Sequence, residues 1–480
     1  MIVREFPRRG GVGIGWRPEI AVDLLRERTR IDFVEVVAET CFTQRHLRRE
    51  ASALAEIWPV IPHGVKLSLG SAEGVDMERA RRLGALAREL GAPFVTEHVA
   101  FTRAGGREIG HLTELPRTRD AVRLVARNVA RARAVLPDVP LLLENVAWSF
   151  RWPEDEMDEP SFYGEIVRAT GCDLLLDVSN LYANARNEGV DPARRLEQYP
   201  LENVRMVHIA GGVEEAGFYF DTHAHSVNED VFALVAALFA RKPDVPVLLE
   251  RDADFGAFDG LRAELERVRD MQRTDTAIPR ASSLHDVRSL GDAGDAREPS
   301  AKELESLQAQ VAALLIDVAP PAGALAERIG LSALARARAI LQRKRVDDAL
   351  PLLASLARSA EIVRPLATGA MERHARLPRG AGPADAWRIV QAALEDPRLR
   401  DDARIDRLVL RARFSGPDEH GALEPRWGPF FGFERLSDGR RVSARKGFGA
   451  LAAVRLHERK RTWPSNSRSS PNRLGEGSTS

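Results

Sequence analysis

Eight short apolar runs in the first 252 residues each end in, or lead directly into, a residue able to bind a metal or move a proton. They are GVGIGW (11–16), FVEVVAE (33–39), VIPHGVKLSL (60–69), FVTEHVAF (94–101), PLLLENV (140–146), CDLLLDVSN (172–180), VRMVHIAG (204–211) and VPVLLERD (245–252). Between most of them lie stretches with helical apolar spacing, such as DMERARRLGALARELGA and TRDAVRLVARNVARARAVL, so strand and helix alternate. Eight such units are what a (β/α)₈ TIM barrel requires, and in that fold the active site forms where strands end and the following loops begin. An open parallel sheet whose polar strand ends only cap helices is the competing arrangement. The repeat count favours the barrel, as does the cost of burying carboxylates and imidazoles without partners.

The rest of the chain differs in texture. The barrel is expected over residues 1–272, followed by a linker over 273–300 rich in Asp, Ser, Gly and Pro. A helical domain is expected over 301–413, where Ala, Leu and Arg recur at helical spacing. A small β-rich region over 414–459 contains an Asp-Gly turn, with Trp427, Phe430, Phe431 and Phe433 expected as its core. The last stretch, 460–480, has the composition of a disordered tail. The Arg-rich RARAILQRKR is expected to be a solvated helix face, and GGVGIG lacks the spacing of a dinucleotide fingerprint.

With 70 basic and 70 acidic residues, the chain has no net field to attract polyanions, so nucleic acid is not an expected partner. Two cysteines, Cys41 and Cys172, make no disulfide framework. No run approaches the length of a membrane-spanning helix and the start lacks a signal-peptide core, so a cytoplasmic protein without a membrane partner is expected.

Seven of the eleven histidines lie in the barrel region: His46, His63, His98, His111, His208, His223 and His225. A lone strand histidine is usually a satisfied core residue, but several at one barrel mouth point to metal. His63, His98 and Glu144 come from the third, fourth and fifth runs, so adjacent strand ends can bring two imidazoles and a carboxylate around one cation. Asp177 and His208 extend the same arc, and Glu250 closes it. Glu97 and His98 are consecutive, so only one can face the barrel interior, and the same holds for Glu144 and Asn145. Asp221 and His223, two apart, share a face if that piece is extended. His225 continues the spacing at the periphery. A sulfur-free imidazole and carboxylate shell suits iron, manganese or zinc. There are more ligands than one ion needs, so Glu144 bridging two ions in a dinuclear or trinuclear centre is the economical arrangement.

The runs HGVKLSLGS, TEHVAF, LLLENVAWSF, LLLDVSNLYANARNEG, MVHIAGG, FDTHAHSV and LLERD together resemble the successive signatures of the multinuclear non-haem iron-dependent oxidases, the family that includes the methanobactin-biosynthesis oxidase. The resemblance spans about residues 11–254. It implies two or three iron ions in mixed Fe(II)/Fe(III) states, O2 as co-substrate, and oxidation of residues, often cysteine, in a ribosomally made precursor peptide. It also implies a peptide-presenting partner protein, a role that residues 301–480 can fill in cis. By resemblance, His63, His98 and Glu144 ligate one iron and Asp177 and His208 serve a second. Asn180, Asp221, His223 and Glu250 match further positions around the cluster. Glu144, Asp177 and His208 are the residues expected to carry the reaction. Two departures, Ser179 in DVSN where many members have Asn, and Glu188 between Asn187 and Gly189 where many have His, bear on substrate more than on metal. The alternative is a Zn or Mn TIM-barrel hydrolase or isomerase, resembling sugar isomerases or abasic-site endonucleases, in which the metal activates water.

Overall fold

A computed structural model of the chain describes residues 5–7, 9–275, 301–377, 381–418, 421–447 and 452–457. It groups them into two compact units, Met1–Lys344 with His374–Pro378, and Arg345–Arg373 with Arg379–Ser480.

In the first unit eight parallel strands close into a barrel: β1 (Val12–Gly15), β2 (Phe33–Val37), β3 (Val60–Gly64), β4 (Val95–His98), β5 (Leu141–Glu144), β6 (Asp173–Asp177), β7 (Val204–Ile209) and β8 (Val247–Leu249). Each pairs with its sequence neighbours, and β8 closes onto β1 with Val12 beside Val247. Strands buried on both faces need apolar residues at consecutive positions, which is why they appear as unbroken runs. One face of each strand packs outward against helices. The other fills the barrel with a layer of Phe33, Ile61, Phe94, Leu142, Leu175, Met206 and Leu248.

The helices between strands begin and end on recognisable residues. Asp76 caps α1 (Met77–Leu90) by accepting from the amides of Glu78 and Arg79, and Gly91 ends it at φ 59°. Thr118 caps α2 (Arg119–Arg133) and Asp158 caps α3 (Glu159–Thr170). Asp177 caps α4 (Val178–Glu188), and Asn228 caps α5 (Glu229–Phe239). These caps satisfy amides that a helix start leaves unbonded.

Two antiparallel hairpins extend the C-terminal end of the barrel. One pairs Phe101–Ala104 with Arg107–Thr113 after β4, the other pairs Gly211–Glu215 with Phe218–His225 after β7. Gly105 and Gly106 at the tip of the first both hold positive φ.

The expected domain boundaries shift. The helix α6 (Phe258–Asp275) runs beyond residue 272, so its last turn occupies the start of the expected linker. Residues 276–300 and the tail from 458 lie outside the described residues. The segment expected as one helical domain over 301–413 divides between the two units, because α7 (Ala301–Ile316) packs on the first hairpin. Gln308 of α7 is fully buried; its Oε1 accepts from the Ala72 amide at 2.8 Å and its Nε2 donates to the Gly70 carbonyl at 2.7 Å. The Arg-rich helix α8 (Leu331–Ala349) is likewise not only a solvated face. Its Arg336 stacks over Phe218 at 4.6 Å and Arg343 approaches Glu215 at 3.5 Å.

The second unit is a helical cluster with a three-stranded antiparallel sheet, β9 (Phe430–Arg435), β10 (Arg441–Lys446) and β11 (Ala452–His457). One sheet face packs through Phe430, Val442, Ala444 and Leu436 on Leu408 and Ala412 of α9 (Arg400–Arg413). The expected aromatic core is therefore only partly realised. Strand alternation turns Phe431 and Phe433 to the opposite face, where they are 73% and 62% exposed, and Trp427 is 87% exposed.

Candidate metal centre

Period-two alternation builds the site. Two residues beyond each member of the apolar layer inside the barrel stands a polar one: Glu35, His63, Thr96, Glu144, Asp177, His208 and Glu250. All seven are buried. The apolar layer below closes the barrel to water, and these groups face one another above it. Parallel register aligns them further, with His98 beside Glu144 and Asp177 beside His208.

Three groups with ligand atoms within 4.8 Å of one another arise from these residues: His63, His98 and Glu144; Glu144, Asp177, His208 and Glu250; and His223, Glu250 and Asp252. Glu144 belongs to the first two and Glu250 to the last two, so the groups adjoin. Glu144 Oε2 lies 3.7 Å from His63 Nε2 and 3.3 Å from His98 Nε2. Its Oε1 lies 3.3 Å from His208 Nδ1, which is also 3.3 Å from Glu250 Oε2. Glu250 Oε2 is 3.3 Å from His223 Nδ1, and His223 Nε2 is 2.7 Å from Asp221 Oδ2. Asp221 thus joins the third group through His223.

The imidazoles are oriented from behind. His63 Nδ1 is 2.8 Å from Thr96 Oγ1 and His98 Nδ1 is 3.1 Å from the Gly64 carbonyl, which leaves each Nε2 toward Glu144. Glu97 faces away from the barrel interior, its carboxylate accepting from the amides of Leu67 and His98. Gly64 has no room for a side chain, since a Cβ there would stand 2.5 Å from Glu97 Oε2. Asn145, facing away from Glu144's side, bonds both the amide and the carbonyl of Asp177. Asp177 divides its two oxygens: Oδ1 caps α4 through the Asn180 amide at 2.7 Å, and Oδ2 is buried with no hydrogen bond. Asn180 is held by its Nδ2 on the Asn145 carbonyl, and its Oδ1 is also buried without a partner.

Asp221 and His223 meet through a bulge instead of the expected straight strand. The ladder shifts register between Gly211 and Gly212, and His223 adopts φ 53°. His225 is peripheral, on the Thr222 hydroxyl. Of the departures from the family pattern, the Ser179 hydroxyl bonds both the amide and the carbonyl of Ala210, tying the ends of β6 and β7 together. Glu188 pairs with Arg117 and Arg195, outside the three groups.

Three participants escaped the sequence reading. Glu35 Oε2 is 3.3 Å from His208 Nε2 and 3.8 Å from His63 Nδ1. Counting two residues on from the inward Phe33 would have found it. Asp252 lies at the rim, and Arg17 forms ion pairs with both Asp252 and Glu250. Nothing in the local sequence around Arg17 marks it.

The donor set fits metal ions. Buried atoms with no hydrogen bond include Glu35 Oε2, Glu144 Oε2, Asp177 Oδ2, Asp221 Oδ1 and both ring nitrogens of His208, and such atoms are costly unless something binds them. Electrostatics agree. Burial alone would raise the Glu144 carboxyl, but His98, His208 and His63 outweigh it and hold it at about 2. Burial likewise disfavours charge on His98, yet Glu144, Glu97 and Glu250 lift it to about 9. Burial first, then the Asp221 carboxylate, push Asp177 up to about 8. A carboxyl kept protonated by its neighbours lacks the positive charge that a cation there would supply.

Residues 11–273 match the family described as RiPP precursor modification enzyme MbnB/TglH/ChrH. The chain belongs to this family. Proteins of similar sequence include a UPF0276 protein of Streptomyces avermitilis, 44% identical over 270 residues that make up 54% of each chain. A UPF0276 protein of Caulobacter vibrioides is 38% identical over 54% of this chain and 93% of its own. The chain thus spans about half the length of the Streptomyces relative. Among solved structures, a xylose isomerase domain protein from Planctomyces limnophilus is 14% identical over 56% of this chain and all of its own, with a TM-score of 0.39. Endonuclease IV from Thermus thermophilus is 18% identical over 55% and 99%, with a TM-score of 0.38. Likenesses this slight carry no argument about function; the closed strand ladder establishes the fold.

Proposed function

We propose that this member of the MbnB/TglH/ChrH family is an iron- and oxygen-dependent oxidase that modifies residues, cysteine foremost, of a ribosomally synthesised precursor peptide. The supporting observation is the run of three adjoining groups linked through Glu144 and Glu250, all imidazole and carboxylate, the first two buried and the third opening at the rim through Asp252. One ion would rest on His63, His98 and Glu144, and a second on Glu144, Asp177, His208 and Glu250. A third would rest on His223, Glu250 and Asp252 with Asp221 beside them. Asn180 Oδ1 is a further oxygen one turn from Asp177. Iron held there supplies the redox chemistry and oxygen activation.

The protein's own groups do the rest. Thr96 Oγ1 and the Gly64 carbonyl fix the two imidazole rings, and Glu35 steadies His208 from the side away from Glu144. Arg17 offsets the excess carboxylate charge at the rim, and the apolar layer excludes water from beneath. In the metal-free chain burial and the Asp221 carboxylate favour the protonated form of Asp177, which would give up that proton in order to hold a cation. Residues 301–480 would present the peptide in cis, or a separate partner protein would do so. No helix among the described residues is long and apolar enough to cross a membrane.

Co-expression with a candidate cysteine-bearing precursor encoded nearby, followed by mass spectrometry, tests this reading. An oxidative mass change that requires both iron and air is expected. A zinc- or manganese-loaded chain that acts on its substrate without oxygen would establish the hydrolase or isomerase alternative.

A further inference from the structure

The outer face of the three-stranded sheet in the second unit is built unlike a solvated surface. Register places Phe431 beside Arg445, Phe433 beside Ser443 and Arg435 beside Arg441, and Arg455 of β11 faces Ser443 from the other side. All six of the arginines and phenylalanines are exposed. Arg441 lies 5.9 Å from the Phe433 ring. Among the described residues no carboxylate pairs with Arg435, Arg441, Arg445 or Arg455, and none of the described residues on this face is acidic. Elsewhere in the chain the usual fate of an arginine is an ion pair, as for Arg345 with Asp385 or Arg407 with Glu434. Exposed phenylalanines alternating with unpaired arginines favour an acidic ligand that also has apolar side chains.

The size of the face separates the possible occupants. Three strands of six residues cover roughly 14 Å by 20 Å, about 300 Å². A stable contact between two copies of a protein takes about 800 Å² from each, so the face is too small for a dimer and matches about six residues of extended peptide. The balanced charge of the whole chain, 70 basic against 70 acidic residues, gives no long-range field for nucleic acid. We infer that this sheet face, centred on Phe431, Phe433, Arg435 and Arg445, is a docking surface for an acidic segment of the precursor peptide. The inference rests on the peptide-modifying reading above and names the surface and ligand chemistry that reading leaves open.

The test uses the full chain and fluorescence anisotropy with a labelled peptide of repeated Glu-Glu-Phe units, beside a Lys-Lys-Phe peptide and an oligothymidylate of similar length. The acidic peptide should bind, and more weakly at about 500 mM than at about 50 mM salt. The pair Arg435→Glu with Arg445→Glu, and separately the pair Phe431→Ser with Phe433→Ser, should each weaken binding about tenfold or more. All four positions are exposed, so unchanged circular dichroism is expected. Any of three results would overturn the inference: no binding or binding indifferent to both pairs, oligothymidylate bound as tightly as the acidic peptide, or a dimer that the phenylalanine pair dissolves. Iron content of the same samples reports separately on the oxidase reading. An iron-loaded chain that ignores the acidic peptide removes the docking surface alone. An iron-free chain that binds it removes the oxidase alone.

Discussion

Replacing Thr96 by Val removes one hydroxyl and almost no volume, which makes it a sensitive probe of the metal centre. Thr96 is fully buried on β4, directly beside His63 in the ladder, with Oγ1 2.8 Å from His63 Nδ1. With a metal on Nε2 the ring proton sits on Nδ1 and is donated to this hydroxyl, which keeps the ring turned toward Glu144. In the valine variant the next acceptor for Nδ1 is Glu35 Oε2 at 3.8 Å. Losing a partner behind a ligating imidazole typically lowers metal affinity about 10- to 100-fold, or about 1.4–2.8 kcal/mol. The metal-free fold should lose only about 1 kcal/mol, the usual value of one buried hydrogen bond. Chelator competition under anaerobic conditions measures the first quantity and thermal unfolding of the stripped protein the second. Thr96→Ser, which keeps the hydroxyl, should retain wild-type affinity to within about threefold. If Thr96→Val binds metal as tightly as the wild type while the stripped protein unfolds at the expected lower temperature, His63 is not a ligand and the first group is misassigned.

Other perturbations read different parts of the structure. Glu35→Gln removes the carboxylate 3.3 Å from His208 Nε2 and should weaken binding at the second group about tenfold or more, measured as a lower metal-to-protein ratio after dialysis. His98 lifted to about 9 and Asp177 to about 8 both hold protons at pH 7 in the metal-free chain. Metal must displace those protons, so affinity should climb with pH up to about pH 8 and level off only above about pH 9. Calorimetry in buffers of different ionisation enthalpy should detect the released protons, and pH-independent affinity would contradict the assignment. Arg195→Leu leaves Glu159 buried without its 2.9 Å guanidinium partner and should cost about 3–5 kcal/mol of stability in denaturant unfolding. A loss below about 1 kcal/mol would show that Tyr199 and Asn184, both hydrogen-bonded to Glu159, suffice.

The barrel was legible because parallel strands buried on both faces leave no polar gap, and runs such as LLLE and DLLLD can belong to little else. The gathering of candidate ligands at strand ends was legible for the same reason: a His or Glu that ends an apolar run has few places to go. Glu35 was hidden because it sits inside its run, and only the inward register of Phe33 distinguishes it. His223 was found by a two-residue spacing that the chain does not use there, since the bulge at Gly211 and the left-handed backbone at His223 depend on a partner strand. The C-terminal helices were harder. Helical spacing reveals that a helix has an apolar face but not which surface covers it, so the attachment of α7 to the barrel through Gln308 was invisible in its composition. The same limit applies to Phe431 and Phe433. Strand alternation puts them opposite Phe430, but composition alone makes any aromatic a core residue.

The central claim is that residues distant in the chain gather redox-active iron around a shared Glu144. Elemental analysis of protein purified anaerobically, wild type beside Glu144→Ala, measures it most directly. Two or three irons per wild-type chain and a marked loss in the variant, together with abolished oxygen uptake, are the predicted result. Full iron loading and undiminished oxygen consumption by Glu144→Ala would contradict it.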